Sequence, residues 1–365
     1  MKILHLANHC NRGHGNAHVA VDLACVQAEN GHDVVYASAG GTFVDLMTSY
    51  GVDHVVLQQN RKDPLSALAA AVNLARLCAR FRPDVLHAHM APGALLGYLV
   101  SRLTRVPLIN TVHNSFDASS AVMRLGDRVV AVSKAEEEQL LRRGFKPELV
   151  DIVVNGPNGA PREIAQDQDV VPTICRPAVV TVCGLHKRKG VEYLIGAFAK
   201  AAEECPDWQL YIAGWGPDYD ALSALKDECK VKDRIHLLGF VSSPKKLLPQ
   251  CDIFVLASLA EPGALVMSEA RAAGCAIIGT RVGGIPEQLE YGRAGTLVEP
   301  ANTEQLASAL LTLMADPKKL AAAKQSALEN SEHFNIKRVV ADYDAVYARA
   351  SRTRQRWSAQ AAKPT

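Results

Sequence analysis

Two glutamates eight residues apart, Glu261 and Glu269, lie in the stretch SLAEPGALVMSEARAAGCAIIG (258–279). The apolar run DIFVLAS (252–258) reads as a buried strand ahead of it, and Leu265, Val266, Ala270 and Ala273 then recur at helical spacing. Pro262 is placed to start that helix, and Gly263 and Ala264 leave backbone N–H groups open to a ligand. A strand, a small-residue turn and a helix N-terminus form the usual ligand position at the edge of an open parallel sheet. In GLHKRKG (184–190), Lys187, Arg188 and Lys189 make a compact cationic turn before a helix beginning near Gly190, chemistry suited to phosphate or diphosphate. Gly214 and Gly216 open another turn at a strand end. In the first half, His113 and Asn114 end an apolar strand, and HCNRGHGNAH (9–18) sets Gly13 and Gly15 before a helix. That pair is not a GxGxxG fingerprint, but such a loop can receive a phosphate or a sugar hydroxyl. His87 and His89 share one strand face and could begin a metal site. Spacing supplies no third ligand, so no metal is expected.

These residues need a scaffold, and the chain reads as two of them. A length of 365 residues exceeds one ordinary core. Strand, glycine loop, helix and strand open the chain at 2–8, 20–31 and 32–38, and the alternation continues through strands at 54–58, 84–89, 108–114, 128–134 and 150–156. Helices are expected at 64–80, 91–104 and, capped by Ser133, through 143. An irregular stretch at 157–177 interrupts the pattern, which restarts with strands at 178–184, 208–214, 235–241, 252–258 and 276–280. The reading is α/β, with two doubly wound domains: an N-terminal domain over 1–170 and a second over 171–331. A last helix, about 332–350, carries Phe334, Tyr343 and Tyr347 on roughly one face and is expected to cross back to the first domain; 351–365 reads as a frayed basic tail.

Composition excludes several classes. Formal net charge is only +2, so nothing argues for nucleic acid. The nine cysteines are scattered without a CxxC and read as free thiols in a reducing compartment. No signal peptide is read at the start, and no apolar stretch is long enough to span a bilayer. A G-x-S-x-G elbow and a complete Walker motif are both absent. Charge is uneven, with 13 Lys/Arg against 7 Asp/Glu over 61–146, which suits either a solvated face or peripheral contact with anionic lipid.

With these motifs together, nearly the whole chain resembles the nucleotide-sugar glycosyltransferases of family four. EPGALVMSEA (261–270) is similar to the family's Glu-x7-Glu stretch; GLHKRKG, VVNG (153–156), GGIPE (283–287) and the Tyr343–Tyr347 pair add to it. The resemblance implies two Rossmann-like domains facing across a cleft (GT-B type) and metal-independent transfer with retention at the anomeric carbon. The donor would be a nucleoside-diphosphate sugar, with UDP, GDP and ADP all open, and no further cofactor. By that resemblance Glu269 binds the ribose, Glu261 faces the donor sugar, and Gly263, Ala264 and Leu265 approach sugar and phosphate. Lys189 neutralises the diphosphate. Arg188, in the same cationic turn but not at a matching family position, and Gly214, in the open turn after its strand, are further donor-site candidates from the residues themselves. His113 stands near the reacting sugar, and Gly15 matches the glycine loop. Three positions depart from the pattern: Gly184 replaces an arginine, Gly263-Ala264 replaces Phe-Gly, and the opening glycine pair is GHGN. The expected acceptor is a saccharide or lipid-linked hydroxyl in polysaccharide, glycolipid or lipopolysaccharide synthesis, with the protein cytoplasmic or peripheral at the inner membrane face. A sugar-nucleotide epimerase or hydrolase, a two-domain small-molecule binding protein and an inactive homologue are the rival readings.

Overall fold

The computed structural model describes residues 1–59, 63–165 and 169–361, with backbone alone for 352–361. Arg61 and Lys62 of the basic span, and the end of the expected tail, lie outside the described residues. The chain divides into two units, one of Met1–Arg162 with Asn335–Thr365 and one of Glu163–Phe334.

The first unit runs β1 (Lys2–Leu6), α1 (Gly15–Glu29), β2 (Asp33–Ser38), α2 (Val44–Ser49), β3 (Asp53–Val56), α3 (Pro64–Phe81), β4 (Val85–Ala88), α4 (Ala91–Thr104), β5 (Leu108–Val112), β6 (Arg128–Ala131), α5 (Lys134–Arg142) and β7 (Val150–Ile152), and the short helix α6 (Pro161–Ala165) spans the boundary with the second. All seven strands are parallel, in the order β3-β2-β1-β4-β5-β6-β7. The central strands β4 and β5 are buried along their whole length, as a sheet covered on both faces requires, whereas the edge strand β3 is half-exposed. Side chains start the helices where expected: Asp63 accepts from the Ser66 amide at 2.8 Å ahead of Pro64, and Ser133 accepts from the Glu136 amide at 3.1 Å.

The second unit runs β8 (Ala178–Val182), α7 (Val191–Glu204), β9 (Gln209–Ala213), α8 (Tyr219–Glu228), β10 (Ile235–Gly239), α9 (Pro244–Leu247), β11 (Ile253–Leu256), α10 (Leu265–Ala272), β12 (Ala276–Thr280), α11 (Ile285–Gln288), β13 (Thr296–Val298), α12 (Thr303–Met314) and α13 (Pro317–Leu328). Its six strands are again parallel, ordered β10-β9-β8-β11-β12-β13. In each sheet the order in which strands are added reverses beside the first strand, which opens a crevice at the strands' carboxyl ends.

The last helix, α14 (Ile336–Ala361), packs on α1 within the first unit. It continues to Ala361, past the end near 350 expected from sequence. Two further expectations are corrected. Pro262 does not start α10, which begins three residues later with Ala264 at its N-cap. Helices α2 and α13 were not anticipated, and α13 is started by Asp316, which accepts from the Lys318 and Lys319 amides ahead of Pro317.

On the α1 and α14 side of the first sheet, Ile3, Val85, Ile109 and Val130 form an apolar layer with Tyr343 and Tyr347. Two residues further along β1, β4 and β5 the layer turns polar, at His5, His87 and Thr111, while Val132 keeps it apolar beyond β6. Register sets His5 beside His87, and alternation puts Thr111, His89 and His113 on the same face.

Candidate active site

In the second unit, the chain leaves β8 through a cationic turn, Lys187–Lys189, and leaves β11 through the loop carrying Glu261. The neighbouring strands β8 and β11 bring these two loops together. The Leu259 amide donates to the Arg188 carbonyl at 2.7 Å, and Lys189 Nζ donates to Glu261 Oε2. Lys189 and Glu261 side chains are only 12% and 7% exposed, so this is a shielded cation–carboxylate pair and not a surface one. Arg188 itself points to solvent-exposed surface of the turn.

Two glycines allow the approach. Gly190 has φ +59°, and a Cβ there would stand 2.2 Å from the Ala257 carbonyl oxygen. Gly283 has φ +51°, and its Cβ would stand 1.7 Å from the Glu261 carbonyl oxygen, to which the Gly284 amide donates at 2.9 Å. The GGIPE motif therefore clamps the backbone of the Glu261 loop from the next strand end.

The other predicted residues of this unit fall around the pair. Gly214 follows β9, its amide donating to the Gly239 carbonyl at 2.7 Å. Glu269 is buried in the second turn of α10. Gly263 precedes that helix, and among the described residues the Leu265 amide at its first position meets no acceptor. Ala264 departs from expectation: its amide donates to Gln288 Oε1 at 3.1 Å and its carbonyl accepts from Gln288 Nε2 at 2.8 Å. Its N–H is therefore not open to a ligand. Sequence reasoning passed over Gln288, one residue beyond GGIPE, because only the fold puts it against the 264 backbone.

In the first unit, Gly15 is the exposed first residue of α1, with open space around its Cα. His113 follows β5 and is half-buried. Its surroundings are not the apolar ones read from sequence, since His113 Nε2 lies 3.3 Å from His89 Nδ1. His5, which sequence reasoning did not single out, supplies the third member missing beside His87 and His89; all three are buried, with ring nitrogens within 4.8 Å of one another. The signal was a histidine at the same depth in both KILHLAN and DVLHAH. Their nitrogens are engaged in hydrogen bonds, His5 to His89 and Gln27, His87 to Tyr347 and Thr111. Burial pushes the His5 and His113 imidazoles down to about 4, and those of His87 and His89 well below the ordinary value.

Residues 14–158 match the family described as Glycosyltransferase Family 4, and residues 175–330 match Glycosyl transferases group 1. The chain is 30% identical to alpha-maltose-1-phosphate synthase of Mycolicibacterium smegmatis over 64% of its own length and 70% of that protein. It is 27% identical to N-acetyl-alpha-D-glucosaminyl L-malate synthase of Bacillus anthracis over 91% of itself and 93% of that protein. The crystal structure of Anabaena Alr3699/HepE in complex with UDP and glucose is similar in fold, with TM-score 0.79 and 21% identity over 95% of this chain and 99% of that one. With two parallel Rossmann-like sheets of the GT-B type, the chain belongs to the family 4 glycosyltransferases.

Proposed function

We propose that the protein is a retaining, metal-independent glycosyltransferase that moves a sugar from a nucleoside-diphosphate sugar to an acceptor hydroxyl. The observation that carries this reading is the shielded Lys189–Glu261 pair, seated at adjacent strand ends of a family 4 chain. An ammonium has three N–H donors; Lys189 gives one to Glu261, and two remain for diphosphate oxygens. Glu261 keeps a second carboxylate oxygen for a sugar hydroxyl. In transfer, the bond from the anomeric carbon to the diphosphate oxygen breaks, a bond from that carbon to the acceptor oxygen forms, and the acceptor's proton passes to the departing diphosphate. Lys189 and the α10 amide at Leu265 stabilise the charge that develops on the diphosphate. His113 serves the reacting sugar, and Glu269 the ribose. UDP is the favoured nucleotide, on the strength of the UDP and glucose bound by the Anabaena relative.

The ribose role has a direct check. Glu269→Ala is expected to weaken binding of free UDP by ~10-fold, the scale of a lost charge-assisted hydrogen-bond pair, as read by calorimetry. Unchanged affinity would remove Glu269 from the nucleotide site. Product mass analysis with UDP-sugars then separates transfer from hydrolysis or epimerisation, since only transfer yields a glycosylated acceptor.

The acceptor is read as membrane-proximal, at the cytoplasmic face. Leu65, Leu68 and Val72 on α3, and Leu95, Leu99 and Leu103 on the neighbouring α4, are exposed at helical spacing, Leu65 by 80% and Leu103 by 79%. The two helices contain no Asp or Glu, while Arg76, Arg80 and Arg102 lie on them. Exposed leucines flanked by arginines suit the surface of an anionic bilayer. No helix among the described residues is long and apolar enough to cross one. Wild-type protein should sediment with phosphatidylglycerol-containing vesicles, and the combined Leu65, Leu68, Leu99 and Leu103→Ser variant should bind them at least ~10-fold more weakly, given the apolar area removed. Equal sedimentation of both would sink the membrane role. A small hydroxy acid is the second reading of the acceptor, favoured by near full-length similarity to the L-malate synthase.

A further inference from the structure

The transfer chemistry proposed for His113 leaves a buried polar network behind it without a task. Its main branch is a single file of side chains. Gln27 Oε1 lies 2.8 Å from His5 Nε2, His5 Nδ1 lies 3.0 Å from His89 Nε2, and His89 Nδ1 lies 3.3 Å from His113 Nε2. Gln27, His5 and His89 are fully or almost fully buried. Such a file between neutral rings has a direction, because each imidazole has one N–H and one bare nitrogen.

The Gln27 amide sets that direction. Its Nε2 donates to the Tyr347 hydroxyl at 3.1 Å, so its Oε1 is the atom that faces His5 and must accept. His5 then donates from Nε2 and accepts at Nδ1. His89 in turn donates from Nε2 to His5 and accepts at Nδ1 from His113 Nε2–H. Beyond Tyr347 the same polarity holds: the Tyr347 hydroxyl donates to His87 Nδ1 at 2.8 Å, and His87 Nε2–H donates to Thr111 Oγ1 at 2.7 Å. Turning the Gln27 amide over would reverse every bond along the file and move the proton of His113 to Nδ1. Burial keeps the rings neutral near pH 7, so one proton per ring is the relevant state.

We propose that Gln27, His5 and His89 are positioning residues for His113, their hydrogen bonds holding it as the Nε2–H tautomer with its lone pair on Nδ1. A bare Nδ1 accepts a hydrogen bond. It therefore suits a sugar hydroxyl and disfavours a phosphate or carbonyl oxygen at the same place, which makes the file a device of substrate chemistry as well as of packing. The proposal rests on the reading of His113 as the residue that serves the reacting sugar.

The test is a long-range proton–nitrogen correlation of the full chain carrying nitrogen-15 histidine, at neutral pH, with His113 assigned by substitution. The expected result is an Nε2–H, Nδ1-bare pattern at His5, His89 and His113. In Gln27→Met and in His5→Phe, His113 should lose the single tautomer, and kcat with a UDP-sugar should fall ~10-fold, one donor or acceptor misplaced in the transition state, while KM for that donor changes less than about twofold. An Nδ1–H or doubly protonated His113 in the wild type overturns the proposal even if neither variant folds. So does a His113 pattern unmoved in both folded variants. If instead the tautomers are as expected but His113→Ala transfers sugar at the wild-type rate, the file stands and the reading of His113 in the reaction is what fails.

Discussion

Lys189→Ala is expected to lower kcat/KM by ~10²-fold or more, about 2.7 kcal/mol of transition-state stabilisation. The magnitude follows from where charge appears. In the proposed reaction a sugar leaves a diphosphate as the anomeric bond breaks, and the Lys189 ammonium, shielded from water and paired with Glu261, would meet that charge without reorganising. Alanine removes the cation and also leaves the Glu261 carboxylate buried without its partner, so donor affinity should fall together with kcat. Lys189→Arg keeps the charge but replaces a compact ammonium with a planar fork beside the close contact of Gly190 and Ala257, and should recover only part of the loss. Steady-state transfer to the best acceptor, with a thermal melt to confirm folding, reads all three proteins. Near wild-type turnover by a folded Lys189→Ala would take the lysine out of the mechanism.

Arg271→Ala should destabilise the second unit by about 3–5 kcal/mol, the range for stripping one partner from a buried charge network. Arg271 is fully buried near the end of α10. Its guanidinium donates to the carbonyls of Ala327 at 2.9 Å, Gln288 at 2.6 Å and Glu329 at 2.5 Å and to Glu290 Oε1 at 2.7 Å, and it lies 5.1 Å from the Phe334 ring centre. One planar fork thus ties α10 to the ends of α11 and α13. Alanine would leave those acceptors without their donor and a void in place of the side chain. Lysine should rescue little, because its three N–H donors sit on one nitrogen and cannot span the acceptors that a planar guanidinium reaches. Burial raises the Glu290 carboxyl, but hydrogen bonds from Arg271, Arg293 and Asn330 outweigh that and hold it below the usual range. Its contribution is present above the unfolded carboxyl's pKa and is lost as pH falls through the depressed folded value. Urea unfolding followed by the fluorescence of buried Trp208 measures the change; a loss under about 1 kcal/mol, the size of one ordinary hydrogen bond, would refute the network's weight.

Much of this was legible in the residues. Parallel strands buried on both faces must be short apolar runs, and helices between them announce their starts with caps, so β5, β12 and α4 fell within a residue or two of expectation. The Lys189 turn and the Glu261 loop were legible as well, because cations and small residues at strand ends have few other reasons to occur there. Helix α13 was less so: its KKLAAAKQSAL stretch carries few large apolar residues, and only Ala327 of the helix is fully buried, with Leu320 and Ala323 half-buried against the core. Pro262 misled because a proline suits a helix start and a preceding turn equally well.

Local chemistry along the chain was enough to establish two α/β halves and to mark the ionisable residues at their strand ends. Which of those residues meet depends on strand order and register, properties no local window contains. Register in a parallel sheet puts His5 beside His87, although 82 positions separate them in the chain, and the path of α14 brings Tyr347 to Gln27. Neighbouring strands bring Lys189 to Glu261 and so turn two suggestive loops into one ion pair. The same folding takes the Ala264 amide, open by sequence, and closes it with Gln288, because a buried N–H finds the nearest acceptor the tertiary structure offers it.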